Sequence, residues 1–305
     1  MISKYSKKLV ENLPEKLSNQ HEPIVIDLIL DGGLINGSYL IGALSFLKEM
    51  EHKNYIKIRR ISGASIGALM AFIYLSNDID YMNDIGDTLV KKIKDNYNLS
   101  FIADIESLIQ KNIPDNICEL VNDKLFISYY NAQKVKKIVK STYKSKEEIF
   151  KTITKSCYLP FVINGGLLYE DKYVDGFTPF IFKKESNVKI LHIELLSSDK
   201  FIDAFSIKNE NSFTHRSLSG ILDIHNFFIK GTKTNMCSYL DEWNVKNKLM
   251  FKIKLSFEMM FVYTVYAIIY AKKYIFPYIE DSLFSKITAV IIKDIWLEML
   301  RHYCI

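Results

Sequence analysis

The chain has 305 residues, with 49% hydrophobic and 25% charged side chains, which excludes a disordered chain. Its 19 Tyr and 19 Phe give ample volume for a core of normal density. A net charge of +5 suits adhesion to an anionic membrane surface and falls short of a nucleic-acid footprint, so no nucleic-acid partner is expected.

Residues 1–22 read as a polar lead-in with one short helix, and with no apolar run of signal-peptide length. Export is not expected, and the protein reads as cytoplasmic. Ile24 to Leu30 (I-V-I-D-L-I-L) is β-branched and suits a strand buried on both faces. It ends at Asp31-Gly32-Gly33, after which Tyr39, Leu40, Ala43, Leu44 and Leu47 recur at helical spacing. Ile56 to Ile61 reads as a second strand, followed by Gly63-Ala64-Ser65-Ile66-Gly67 and a buried helix from Ala68 to Leu75. Strand, glycine turn, helix, strand, tight turn and helix in succession predict an α/β chain with a mostly parallel sheet covered on both faces.

From Asp78 to Tyr143 the lysine- and asparagine-rich sequence reads as several helices outside the sheet. Ser145 and Glu148 have capping-box spacing and open a helix that runs to about Cys157, with Pro160 beyond it. Gly165 to Glu170 and Lys172 to Val174 read as short strands leading to Asp175-Gly176, and Val188 to Leu195 as another. Beyond Phe201 the chain reads as mostly helical. Within it Leu255 to Ala271 is almost wholly apolar, broken by Glu258 and flanked by Lys254, Lys272 and Lys273. That length sits at the lower limit for a membrane span, so a buried or interfacial helix and an inserted one both remain open.

Gly63-x-Ser65-x-Gly67 between a strand and a helix is the arrangement that holds a serine hydroxyl at the apex of a sharp turn. The positive end of the following helix favours the charge of a tetrahedral intermediate. One strand-helix unit upstream, Asp31 to Gly37 leaves backbone N–H groups available to an anion. A plain structural turn fits either segment alone, and a phosphate cradle fits the second. However, six of the 12 glycines (Gly32, Gly33, Gly37, Gly42, Gly63 and Gly67) gather at these two neighbouring turns. Adjacent strand ends of a parallel sheet are where a site forms.

A base is needed next. His21 and His52 sit outside any motif, and His192 lies inside an apparent strand with a core role. His215, His225 and His302 come late, where an α/β-hydrolase triad would place its histidine. Asp175 stands at a strand end before Gly176, although Asp-Gly is also a common turn. Cys118, Cys157, Cys237 and Cys304 form no Cys-x-x-Cys pair, so neither a disulfide framework nor a zinc site is expected, and no metal or other cofactor.

D-G-G-L-I-N-G from Asp31, G-A-S-I-G from Gly63 and D-G-F from Asp175, in this order, resemble the patatin-like phospholipases, lipid acyl hydrolases. T-K-S-C-Y-L-P from Thr154 to Pro160 resembles the family's helix-to-proline approach, and the resemblance covers about Ile24 to Leu196. It implies a three-layer α/β sandwich with a central mostly parallel sheet: a catalytic domain over 23–200 after the 1–22 lead-in, and a mostly helical 201–305 region packed on it. It also implies a catalytic dyad of Ser65 and Asp175, a nucleophile elbow framed by Gly63 and Gly67, and an oxyanion hole from the N–H groups of Gly32, Gly33 and Leu34. Asp175 then takes the Ser65 proton, an acyl-enzyme forms on a membrane phospholipid, and water releases the fatty acid. Residues 255–273 are the expected membrane contact. Three positions depart from the family pattern: Leu34 for a third glycine, Asn36 for Arg or Lys, and Phe177 for a small residue. A non-catalytic lipid-binding protein on the same fold and a soluble esterase or thioesterase with a late histidine are the competing readings.

Overall fold

The computed structural model describes residues 1–18, 22–76, 113–161, 166–197, 200–208 and 210–274, with isolated positions between 79 and 94 and at 294 and 298. Its centre is a seven-stranded sheet in the order β4-β3-β2-β1-β6-β7, with β5 paired to β3. The β-branched runs form β1 (Ile24–Leu30) and β2 (Ile56–Ala64), and the later apolar segments form β3 (Leu125–Asn131) and β6 (Lys189–Ile193). These four are mutually parallel, β1 lying between β2 and β6, and β2 between β1 and β3. Three short strands are antiparallel: β4 (Lys136–Lys140) and β5 (Tyr173–Asp175) on β3, and β7 (Cys237–Tyr239) on β6.

One face of the sheet carries Leu28, Leu30, Ile61, Leu125, Ile127 and Leu191 into the main core. Helices α1 (Ile2–Glu11), α3 (Gly37–His52), α4 (Ile66–Leu75), α6 (Lys146–Cys157) and α7 (Thr214–Lys230) supply most of the rest of that core. The period-two alternation of a strand sends Ile29, Phe126 and Ile190 to the opposite face, where Phe180 and Phe182 cover them. Farther along that face Tyr130 and Val174 pack against Val262 and Val265 of the long α8 (Val245–Tyr274). Helices therefore lie on both sides of a mixed, mostly parallel sheet, the sandwich expected from the sequence.

The N-terminal residues do more than lead in. Ile2 and Val10 of α1 are buried against the core, and a second short helix, α2 (Glu15–Ser18), follows. The larger correction concerns residues 78–143. Only short α5 (Ile117–Val121) and isolated helical positions match the expected helices among the described residues, while 125–131 and 136–140 are β3 and β4. The stretch 95–112 lies outside the described residues. Leu125 to Asn131 is buried on both faces, so it lacks the alternation that marks a strand. The lysines of β4 suit an edge strand, where charge discourages further pairing.

Two smaller differences follow from strand length. Residues 167–170 form no strand beyond a single bridge from Tyr169 to Tyr173, and β7 is a three-residue strand inside a region read as helical. Segments that short carry no periodic signal. At α6 the capping box is half formed: Ser145 accepts the Glu148 N–H at 3.3 Å, but the Glu148 carboxylate turns to the Lys144 N–H at 2.7 Å.

Candidate active site

β3 organises the site. Along one of its edges β2 pairs only as far as Ala64 opposite Ser128, and from Tyr129 onward β5 takes over. β2 runs parallel to β3 and β5 antiparallel, so the two strands point at each other along the same edge. Asp175, the last residue of β5, faces Tyr129, one step of roughly 3.3 Å beyond the position facing Ala64. Ser65 follows Ala64 directly, so the topology itself brings Ser65 to Asp175.

Ser65 is the single residue between β2 and α4, held at φ 53° and ψ −132°. A side chain in this region costs on the order of 1–3 kcal/mol and persists only when its surroundings enforce it. Ser156, from the C-terminal turn of α6, does so by accepting the Ser65 N–H at 2.9 Å and donating its own hydroxyl to the Ser128 carbonyl at 2.6 Å. The same turn fixes the other partner, because the Asp175 N–H bonds to the Tyr158 carbonyl at 2.9 Å. Gly63 and Gly67 are demanded by contact: a β-carbon at Gly67 would lie 2.4 Å from the Leu30 carbonyl oxygen, and one at Gly63 2.5 Å from the Gly67 carbonyl.

Gly32, Gly33 and Leu34 form the loop after β1. A β-carbon on Gly32 would stand 3.2 Å from the Ser65 β-carbon and 2.9 Å from the Phe177 carbonyl, which puts this backbone beside both segments. Among the described residues, the N–H groups of Gly32, Gly33 and Leu34 have no hydrogen-bond partner. Leu34 lies in the left-handed region at φ 50°, as does Phe177 at φ 46°. Two of the three departures from the family pattern thus fall where a glycine would be unstrained.

The third departure is explained by a residue the sequence did not reveal. Asn36 is buried and donates to the Leu195 and Lys200 carbonyls at 2.8 and 2.9 Å, while its side-chain oxygen accepts from Arg216 at 2.9 Å. Arg216, on α7, is itself buried and also bonds the Asp203 and Ser206 carbonyls and the Glu210 carboxylate. The only signal for it was rarity, since the chain has four arginines among 40 basic residues.

The Asp175 carboxyl is buried. Its Oδ1 accepts the Phe177 N–H at 2.7 Å. The Ser65 hydroxyl is near enough to favour the charged form, yet no hydrogen bond of normal geometry is closed to Oδ2, which is buried and unpartnered. Burial raises the Asp175 pKa to about 7, with Glu258 adding to the rise and Ser65, Phe177 and Lys137 opposing it. Glu258 is buried on α8 between Lys137, 2.8 Å away, and the Thr178 hydroxyl. Phe261, one turn on, packs its ring on Phe177 at 4.7 Å.

Asp31 is also buried, paired with Lys254 of α8 and 3.5 Å from His192 Nε2. Burial alone would raise its pKa, but Lys254 and His192 outweigh that and hold it at about 2. His192 is on β6, two strands from β2, a lateral separation of about 10 Å from Ser65. His215 is exposed at the start of α7 and His225 packs edge-on to Phe46, while His21 and His302 lie outside the described residues. No group of three or more His, Cys, Asp or Glu side chains suited to a metal occurs among the described residues.

Residues 28–178 match the family model for patatin-like phospholipases. The human patatin-like phospholipase domain-containing protein 4 is 27% identical over 151 residues, 46% of this chain and 59% of that protein. The human 1-acylglycerol-3-phosphate O-acyltransferase PNPLA3 is 27% identical over 163 residues, 48% of this chain and 34% of its own length. Its Mus musculus counterpart is 26% identical over 153 residues, 46% of this chain and 36% of its own length. The matched region thus spans between about a third and three-fifths of these relatives.

Leu34→Gly relieves a left-handed leucine while losing part of its burial, so unfolding free energy should stay within about 1 kcal/mol of the parent. A much larger loss in urea titration would mean that Leu34 is a principal anchor of the loop. The Asp175 carboxyl should titrate near 7, and Glu258→Gln should move it to lower pH, as followed by carboxyl ¹³C NMR. Between 3.8 and about 7 the folded chain keeps a proton that the unfolded chain has released, so this group lowers stability as pH rises through that window.

Proposed function

Given that residues 28–178 match the family model for patatin-like phospholipases, we propose that the chain is a serine hydrolase cleaving fatty-acyl esters of glycerophospholipids, through Ser65 and Asp175. The observation that carries the reading is the meeting of β2 and β5 on one edge of β3, which sets a strained serine against a buried carboxylate.

Asp175 removes the Ser65 proton as the serine oxygen attacks the ester carbonyl. A carboxylate of ordinary pKa is a weak base near neutrality, whereas one raised to about 7 accepts a proton readily there. The unpartnered N–H groups of Gly32, Gly33 and Leu34 receive the oxyanion. Collapse of that intermediate expels the lysolipid alcohol, which takes the proton from Asp175. Water, deprotonated by the same carboxylate, then releases the fatty acid and restores Ser65. The names of two relatives add the reading that an acceptor alcohol takes the acyl group in place of water.

The substrate class implied is a phospholipid at a membrane surface, met by residues 255–273, and the protein is a membrane-associated cytoplasmic enzyme. Asp175, not a late histidine, is the base. His192 is engaged with Asp31, and among the described residues the groups that act most strongly on Asp175 include no histidine.

Ser65→Ala and Asp175→Asn should each abolish release of fatty acid from phosphatidylcholine vesicles, by up to about 10⁶-fold for loss of the nucleophile. His192→Gln, His215→Gln, His225→Gln and His302→Gln should keep activity within the range set by their effects on folding. The six variants are compared at equal folded protein by circular dichroism. A histidine variant as inactive as Ser65→Ala, beside an active Asp175→Asn, would overturn the dyad and restore the esterase reading. Activity in the wild type should rise through pH 7 as Asp175 ionises. Adding a lysophospholipid acceptor and separating the products distinguishes hydrolysis from acyl transfer.

A further inference from the structure

α8 is turned inside out for a helix of a water-soluble fold. Between Ile253 and Tyr270 its charged residues are Lys254 and Glu258, and both face the body, on Asp31 and on Lys137 with Thr178. The outward face over the same span shows Ile253, Phe257, Met260, Tyr263, Tyr266 and Tyr270, with Phe257 62% and Met260 59% exposed. Only 17% of the most apolar window is buried, so this is not a core helix. Exposed lysines stand at both margins, Lys246, Lys248 and Lys252 before the apolar stretch and Lys273 after it.

We propose that α8 lies in the plane of an anionic lipid bilayer, with its outward face immersed at the headgroup boundary and its inward charges pinned to the domain beside the Ser65–Asp175 site. The surface deepens the lipid-ester reading, on which its purpose rests. An apolar face bounded by basic residues is what an interfacial helix presents to anionic lipid. Eighteen residues make a strip of about 27 Å, far more apolar surface than an isolated exposed residue.

The two inward ion pairs separate lying on the membrane from crossing it. A spanning helix would withdraw Lys254 and Glu258 into hydrocarbon and leave Asp31 buried without its cation, which is strongly destabilising. It would also strip Val262 and Val265 from Tyr130 and Val174. Lying in plane keeps every one of these contacts and covers only the side that the domain leaves bare.

The test uses the full chain carrying Ser65→Ala, so that binding is read without hydrolysis and stands apart from whether Ser65 is the nucleophile. Co-sedimentation with phosphatidylcholine–phosphatidylglycerol vesicles should be strong. It should weaken at least tenfold in Phe257→Glu/Met260→Glu/Tyr263→Glu, and severalfold in Lys246→Glu/Lys248→Glu/Lys252→Glu at low salt. Alkaline carbonate should release the bound protein. Phe257→Trp, which leaves the fold undisturbed, should gain fluorescence that brominated lipid quenches. Equal binding by the glutamate variant or absence of that quenching would overturn the inference. So would protein that resists carbonate, as a spanning helix does, or self-association that the glutamate substitutions abolish, which would give the face to a second copy of the chain.

Discussion

The site depends on one edge of one strand being shared by two others. β3 gives Leu125 to Ser128 to β2 and Tyr129 to Asn131 to β5, and no residue intervenes between the two pairings. Because β2 is parallel to β3 and β5 antiparallel, their ends converge, and hydrogen-bond register fixes the residues that meet. A one-residue slip of β5 would turn Asp175 to the other face. The serine's approach to the carboxylate is therefore set by backbone pairing, and Ser156 closes the junction by bonding to both β3 and the Ser65 amide.

Charge is buried around this junction in an unusual direction. Asp31, Asp175 and Glu258 are all sealed within the protein, while α8 presents tyrosine, phenylalanine and methionine outward. Asp31 has a full cation from Lys254 and is held strongly acidic. Asp175 has no such partner, only a hydroxyl, an amide and the more distant Lys137, and Glu258 works against it. Two buried aspartates on the same sheet are thereby driven to opposite ends of the carboxylate range. The difference lies in whether a lysine reaches the carboxyl directly or is already committed to a neighbouring glutamate.

The residues of the proposed site were legible in the sequence because each has a local mark: glycines crowded at two turns, a serine between them, an aspartate at a strand end. The parallel centre was legible too, since β1, β2 and the helices after them carry strong apolar patterns. What joins the pieces was not. β3 is buried on both sides and sits among lysine-rich residues, so it reads by composition as part of a helical insertion. β5 and β7 have three residues each, too few for any period to show. Glu258 did stand out as a carboxylate in an apolar run, but sequence gave no partner for it, and its inward placement emerges only with Lys137 and Thr178 in view.

The departures from the family pattern are best understood together. Leu34, Ser65 and Phe177 all have positive φ and lie on the three segments that meet at Gly32, at a cost on the order of 1–3 kcal/mol each. Strain of that size persists only where nearby groups hold the chain, and each position has such a hold. The Ser65 amide is bonded to Ser156, and the Phe177 amide to Asp175 itself. Leu34 is held through its carbonyl, which accepts the Gly37 N–H, and its loop is tied down by the Ile35 N–H on the Ala204 carbonyl and by Asn36, which bridges Leu195, Lys200 and Arg216. A lysine or arginine at position 36 would bring a second cation against the buried Arg216, whereas asparagine offers it an acceptor. The neutral residue and the distant arginine therefore form one device. Charge-assisted bonds of about 1.5–3 kcal/mol from Arg216 are of the size needed to hold a non-glycine residue in the left-handed turn beside Ser65.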